Sequence, residues 1–217
     1  MPTDSGRWVQ VEAERLDGWL TRFTERHGQP TWTASPTSVV LTAPDGAAAE
    51  CVVPFPPLTQ QPGTPYDGLV AHVTTDRRVG VLLFRLGGHA VGVFEGTRLV
   101  RSKVGSRQVH GRSAAGGWSQ QRFARRREGQ IRVALSAAAD LVAQVLLPEA
   151  SRLDALVLGG DRRSLDGLLA DVRLEALRRL VVEPVLDVPD PRLRVLQATP
   201  PHFRAVRIRV SEPRPDS

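Results

Sequence analysis

Between Val79 and Val104 three apolar runs, Val79 to Leu86, His89 to Phe94 and Arg98 to Val104, are separated only by Gly87-Gly88 and by Glu95-Gly96. Connections this short leave no room for a crossover, so consecutive strands must run antiparallel, and the pattern predicts a three-stranded meander. Beyond it, Phe123, Ile131, Leu135, Ala138, Val142 and Val145 recur at helical intervals up to Pro148. They predict one long helix from about Ser119, weakened at Gly129. Leu153 to Leu158 then reads as a short buried strand ending at Gly159-Gly160, followed by helices through Leu165 to Leu169 and Leu174 to Leu180 and a last strand near Val206 to Val210. A meander followed by strand and helix alternation implies a mixed α/β sheet.

Upstream, Leu16, Trp19, Leu20 and Phe23 have the spacing of an amphipathic helix, predicted over Trp8 to His27 and stopped by Gly28 and Pro30. Val39 to Leu41 and Cys51 to Val53 flank Pro44-Asp45-Gly46 and read as a β-hairpin. Pro62, Gly63 and Pro65 mark Leu58 to Tyr66 as a linker. The expected organisation is a small α+β N-terminal subdomain over residues 1–65 and a main domain over 66–217. At 217 residues and 41% hydrophobic, the chain can bury such a core without disulfides or metal. Cys51 is the single cysteine, which excludes an internal bridge and a cysteine zinc or redox motif and fits a reducing cytoplasm. The opening Met1-Pro2-Thr3-Asp4-Ser5 has no leader pattern, and no stretch reads as the roughly 20 apolar residues that span a bilayer. A soluble, cytoplasmic monomer without a membrane partner is expected. No G-x-G-x-x-G or P-loop pattern joins a strand to a helix.

Charge is concentrated in one place. From Arg101 to Arg132 nine basic residues face a single acid, Glu128, for a local net charge of +8; the whole chain is +6, so everything outside this window sums to −2. A field confined to one segment attracts and orients a polyanion, because each neutralised phosphate releases condensed counterions. Glycines, a tryptophan and glutamines interrupt the run, unlike an ordinary solvated helix face.

Within that window the order is strand, basic turn, Gly116-Gly117, helix. Paired glycines leave the backbone bare, so main-chain N–H groups can approach a substrate that a Cβ would hold off. The first amides of a helix lack intrahelical partners and carry partial positive charge, which suits the oxyanion formed when an ester carbonyl is attacked. Trp118-Ser119-Gln120-Gln121 supplies neutral polar side chains beside them, and Arg122, Arg125, Arg126 and Arg127 follow on the helix to hold phosphates. Ser119 has no base visible in the sequence to activate it and suits a helix cap. The same lack applies to Ser113, and His110 reads as an RNA contact or loop residue rather than a ligand.

The string Lys103-Val104-Gly105-Ser106-Arg107, continued by Gly111-Arg112-Ser113-Ala114-Ala115-Gly116-Gly117-Trp118-Ser119-Gln120-Gln121-Arg122-Phe123-Ala124-Arg125-Arg126-Arg127, resembles the catalytic domain of class I release factors of eukaryotes and archaea. Those factors place glutamine directly after the glycine pair, where this chain has Trp118. The resemblance is closer to the Vms-like release factors, a family of peptidyl-tRNA hydrolases with an actinobacterial branch and a G-x-x-Q motif, matched here by Gly117-Trp118-Ser119-Gln120. It spans about Val79 to Gln130.

This resemblance implies an RNase H-like α/β fold for the main domain and hydrolysis of the ester joining a nascent peptide to tRNA at the peptidyl transferase centre of the large ribosomal subunit. Gln120 would position the attacking water beside Gly116 and Gly117; Gln121 is an adjacent candidate that the sequence does not separate from it. Glutamine has no useful pKa, so proton transfer would fall to RNA or water. Lys103, Arg107, Arg112, Arg122, Arg125, Arg126 and Arg127 would contact rRNA and tRNA phosphates, and Trp118 would either stack on a base or anchor the loop. No metal or cofactor is implied. The chain lacks the length for codon-reading domains, which favours rescue of stalled complexes over termination. A noncatalytic RNA-binding ribosome factor is the main alternative. A metal-dependent nuclease would need Asp140, Asp154, Asp161, Asp166 or Asp171 brought together.

Overall fold

Apolar alternation and glycine-marked turns build two sheets. The computed structural model describes residues 6–106 and 119–213, with side chains described outside 106–128. The strands are β1 (Arg7–Val11), β2 (Thr31–Ala34), β3 (Ser38–Thr42), β4 (Ala48–Val52), β5 (Arg78–Arg85), β6 (Gly88–Glu95), β7 (Arg98–Ser106), β8 (Ala155–Gly160), β9 (Val181–Leu186) and β10 (Val206–Ser211). The helices are α1 (Leu16–His27), α2 (Leu69–Thr74), α3 (Ser119–Leu146), α4 (Arg162–Leu169), α5 (Glu175–Arg178), α6 (Leu193–Gln197) and α7 (Pro200–Phe203). Two compact units result, residues 1–75 with 201–217, and residues 76–200.

The first unit holds an antiparallel sheet in the order β1-β10-β4-β3-β2. Val39, Leu41, Ala49, Cys51, Val206 and Ile208 point to one face, where Leu16, Leu20 and Phe23 of α1 cover them. The hairpin expected around Pro44-Asp45-Gly46 forms as β3 and β4. The helix expected from Trp8 does not begin there. Arg7–Val11 pairs with β10 instead, and Val11 points inward while Trp8 and Gln10 point out, a period of two rather than 3.6. Helical spacing starts only at Leu16. The expected linker is part of this unit, because Leu58, with Leu69 and Val73 of α2, is buried in its core. The expected boundary after residue 65 therefore lies inside the first unit. The predicted last strand is present as β10, but it enters between β1 and β4 and so belongs to the first unit.

The second unit is the mixed α/β sheet that the meander called for, in the order β7-β6-β5-β8-β9. β6 runs antiparallel to both β5 and β7, while β8 is parallel to β5 and β9 is parallel to β8. Leu82, Phe84, Val91, Val93, Leu156 and Leu158 turn one face toward Ala134, Ala138, Val142 and Leu146 of α3 and Leu165 and Leu168 of α4. The alanines of α3 let the helix axis approach the sheet closely, and each large aliphatic side chain buried there contributes about 1.5–3 kcal/mol. β9 was not expected; Pro184 disguises it, and its position at the sheet edge is where a strand tolerates a missing N–H.

The residues 129–149 contradict one further expectation. Gly129–Glu149 is long and apolar enough to cross a bilayer, with a mean hydropathy of 1.5 over its window. Its Ala and Val side chains give α3 the face that packs on the sheet, and the same composition satisfies both roles.

Candidate functional site

β7 is an edge strand whose last residue is Ser106, and α3 starts at Ser119, so in the sequence the glycine pair falls between a strand and a 28-residue helix. Arg107, His110, Arg112, Ser113, Gly116, Gly117 and Trp118 lie outside the described residues. Ser119 opens α3, and Gln120 and Gln121 occupy its first turn, where backbone N–H groups have no intrahelical acceptor. Arg122, Arg125, Arg126 and Arg127 follow on the same helix; the side chains of all seven lie outside the described residues. The first buried residue of α3 among those described is Ala134. At 1.5 Å per residue, the stretch from Ser119 to Val133 is about 22 Å long. Gly129 to Val133 are half-buried or exposed, so among the described side chains the close packing of α3 on the sheet begins at Ala134.

The root of this segment is filled by His89. Its backbone pairs with Gly105 across β6 and β7, and its ring stacks 6.4 Å from Phe84. A Cβ on Gly105 would fall 2.6 Å from His89 Cε1 and closer still to Nε2, so glycine is required for the imidazole to lie over the strand. His89 is 6% exposed, and burial pushes its pKa below the ordinary value, favouring the neutral ring. Sequence reading counted His89 only as part of a strand. A lone polar residue in an otherwise apolar run, two strands from the glycine loop, was the available signal.

Lys103 is not gathered with the glutamines. Its Nζ donates to Gln144 Oε1 at 2.7 Å, and Gln144 is 24 residues, about 36 Å of helix, beyond Gln120. Arg101, one position further back on the same face of β7, approaches Glu149 at 3.6 Å. Lys103 and Arg101 line the sheet-packed end of α3, whereas the arginine cluster belongs to its start. At the end of β5, Arg85 donates to Asp187 at 2.9 Å and to the Val188 carbonyl, lining an open cleft of about 480 Å³.

The five aspartates considered for a nuclease have separate duties. Asp161 caps α4, accepting from Ser164 N at 2.9 Å. Asp171 caps the turn at Val172–Leu174 and pairs with Arg173, which holds its carboxyl down at about 2. Asp140 meets Arg173 at 2.7 Å, Asp154 accepts from the Arg78 amide at 2.7 Å, and Asp166 is exposed. The interiors of β5, β6 and β8 carry no carboxylate. Among the described residues no three His, Cys, Asp or Glu side chains are placed to share a metal ion. Cys51 is buried, its thiol pushed up to about 12 by desolvation, and it serves as a small core residue.

Comparison with known proteins gives one strong result. Residues 77–209, more than half of the chain, match the model of the Actinobacteria/chloroflexi VLRF1 release factor family. The chain is also similar to the archaeal translation termination factor aRF1, at 13% identity and a TM-score of 0.42 over 72% of this chain and 46% of that one. A second archaeal protein matches at 15% identity and a TM-score of 0.38 over 76% of this chain and 51% of that one. The chain thus spans about half the length of these solved structures. No curated protein matches. The matched region takes in the meander, the glycine segment, α3 and the parallel strands, and the chain belongs to the Actinobacteria/chloroflexi VLRF1 release factor family.

Proposed function

We propose that this release factor is a peptidyl-tRNA hydrolase that frees nascent chains from stalled ribosomes without reading a codon. The observation that carries the reading is the family match across the Gly117-Trp118-Ser119-Gln120 segment, joined to the place of Ser119 and Gln120 at the start of a long helix. Gln120, in the first turn of α3, orients a water molecule, and Gly116 and Gly117 leave room for the ester. The water oxygen bonds to the carbonyl carbon, the ester C–O bond breaks, and the released peptide carries the new carboxyl group. The 3′-terminal ribose of tRNA leaves as the hydroxyl, taking a proton relayed through RNA or solvent. Gln121 and Ser119 shape the same turn. Arg107, Arg112, Arg122, Arg125, Arg126 and Arg127 neutralise rRNA and tRNA phosphates, with Trp118 beside them, and Lys103 contributes from the strand.

The second unit is read as RNase H-like. Its sheet order, with three strands as a meander and the fourth added parallel to the first, supports that reading. The working place is the cytoplasmic ribosome, at the peptidyl transferase centre of the large subunit, and the protein acts as a monomer. A noncatalytic ribosome-binding role would use the same arginines but not Gln120. The two are separated by adding the protein to ribosomes that hold labelled peptidyl-tRNA in the P site with no stop codon present. Peptide appearing in the supernatant in proportion to time and protein supports hydrolysis; stoichiometric binding without release would leave only the noncatalytic role.

A further inference from the structure

Among the described residues, the sheet of the first unit packs one face against α1, while on the other Gln10 donates to the His202 carbonyl of α7 at 3.4 Å and the row that begins at Trp8 stands open. The register carries Trp8, Arg209, Glu50, Val40 and Thr33 across that outer face in one row, with Gln10 and Arg207 in the next. Trp8 is 47% exposed. The Arg207 guanidinium lies 4.8 Å from the centroid of the indole and that of Arg209 at 6.0 Å. Arg209 also reaches Glu50 at 2.8 Å, whereas among the described residues Arg207 meets no carboxylate.

A cation held against an indole keeps its full charge, since the ring quadrupole attracts it without neutralising it. The pair therefore presents a stacking surface and a charge that phosphate can still bind. The placement is local: residues 1–75 and 201–217 hold eight basic residues against ten acidic ones, so general basicity does not explain two arginines beside the one exposed tryptophan of this face. The neighbours Gln10, Thr33 and Ser38 are polar, which fits sugar and phosphate contacts better than the dry apolar ring around a protein hot spot.

We propose that the open sheet face of the first unit binds single-stranded RNA, with Trp8 stacking on a base and Arg207 holding an adjacent phosphate. This does not depend on the hydrolase reading, because it involves neither Gln120 nor the basic segment. It gives the chain a second RNA contact from a different sheet.

The test is fluorescence anisotropy of the full chain with a labelled oligouridylate, free of ribosomes, from 50 to 200 mM salt. Trp8→Ala should weaken binding by about 5- to 150-fold, the range for losing one stacked base, while Trp8→Phe stays within about threefold of the parent. Arg207→Gln should reduce the slope of log affinity against log salt by about 0.7, the value for one phosphate contact on a single strand. Trp8→Phe also serves as the folding control, since it keeps a ring at the site. Unchanged affinity in Trp8→Ala, or an unchanged salt slope in Arg207→Gln, would overturn the proposal. A protein-binding role for this face would produce both of those results.

Discussion

Substituting Gly105 by alanine tests the packing at the root of the release segment. A Cβ there enters the space of His89, meeting Cε1 at 2.6 Å, Cδ2 at 3.0 Å and Nε2 closer than either. The imidazole cannot swing clear into solvent, because it is buried and stacked on Phe84. Overpacking of a filled site costs about 1–3 kcal/mol. His89→Ala alone loses the ring's packing and leaves a void, for a cost in a similar range. In the double variant the new methyl enters that void, so adding Gly105→Ala to His89→Ala should cost less than about 0.5 kcal/mol. The cycle therefore predicts a coupling of about 0.5–3 kcal/mol between the two sites. Urea unfolding of the four proteins, with m-values compared to verify a common transition, measures it. Effects that add to within about 0.5 kcal/mol would refute the view that Gly105 is glycine in order to seat His89.

Gly129 sits inside α3, and beyond its own helix backbone and chain neighbours no described atom lies within 4 Å of an added Cβ, so Gly129→Ala should stabilise the protein by about 0.5–1 kcal/mol in the same urea experiment. His89 is held below its ordinary 6.5 by burial. As pH falls past 6.5 the unfolded chain takes up the proton before the folded one, so stability should decline from that point toward the folded pKa, and His89→Leu should flatten the decline in pH-resolved thermal unfolding. Asp161→Ala, which removes the acceptor for the Ser164 amide at the start of α4, should cost about 1 kcal/mol by chemical denaturation.

What could be read in advance followed from local signals. The meander was legible because each turn carries glycine between apolar runs, and α3 because its apolar period persists from Phe123 to Val145. β3 and β4 were legible for the same reason, with a turn sequence between alternating residues. β1 was not, since five residues beside a helical pattern carry too few periods to separate two from 3.6, and its partner β10 lies almost 200 residues away. β10 was recognised as a strand but assigned to the wrong unit, because local pattern identifies a strand and not the sheet it joins. Pro184 hid β9 by removing an N–H that an edge strand can spare. The proposed chemistry rests on motif order rather than on geometry: the glycines, Gln120 and the arginines stand in sequence, whereas His89 joins the root of the segment only by cross-strand pairing.

The central claim is that Gln120 serves peptide release, and single-turnover release from ribosomes stalled without a stop codon tests it. Gln120→Ala should slow release by about 100-fold or more, the scale for losing a positioned catalytic contact, while ribosome binding stays within about twofold of the parent. Release at the parental rate by Gln120→Ala, with binding intact, would contradict the account.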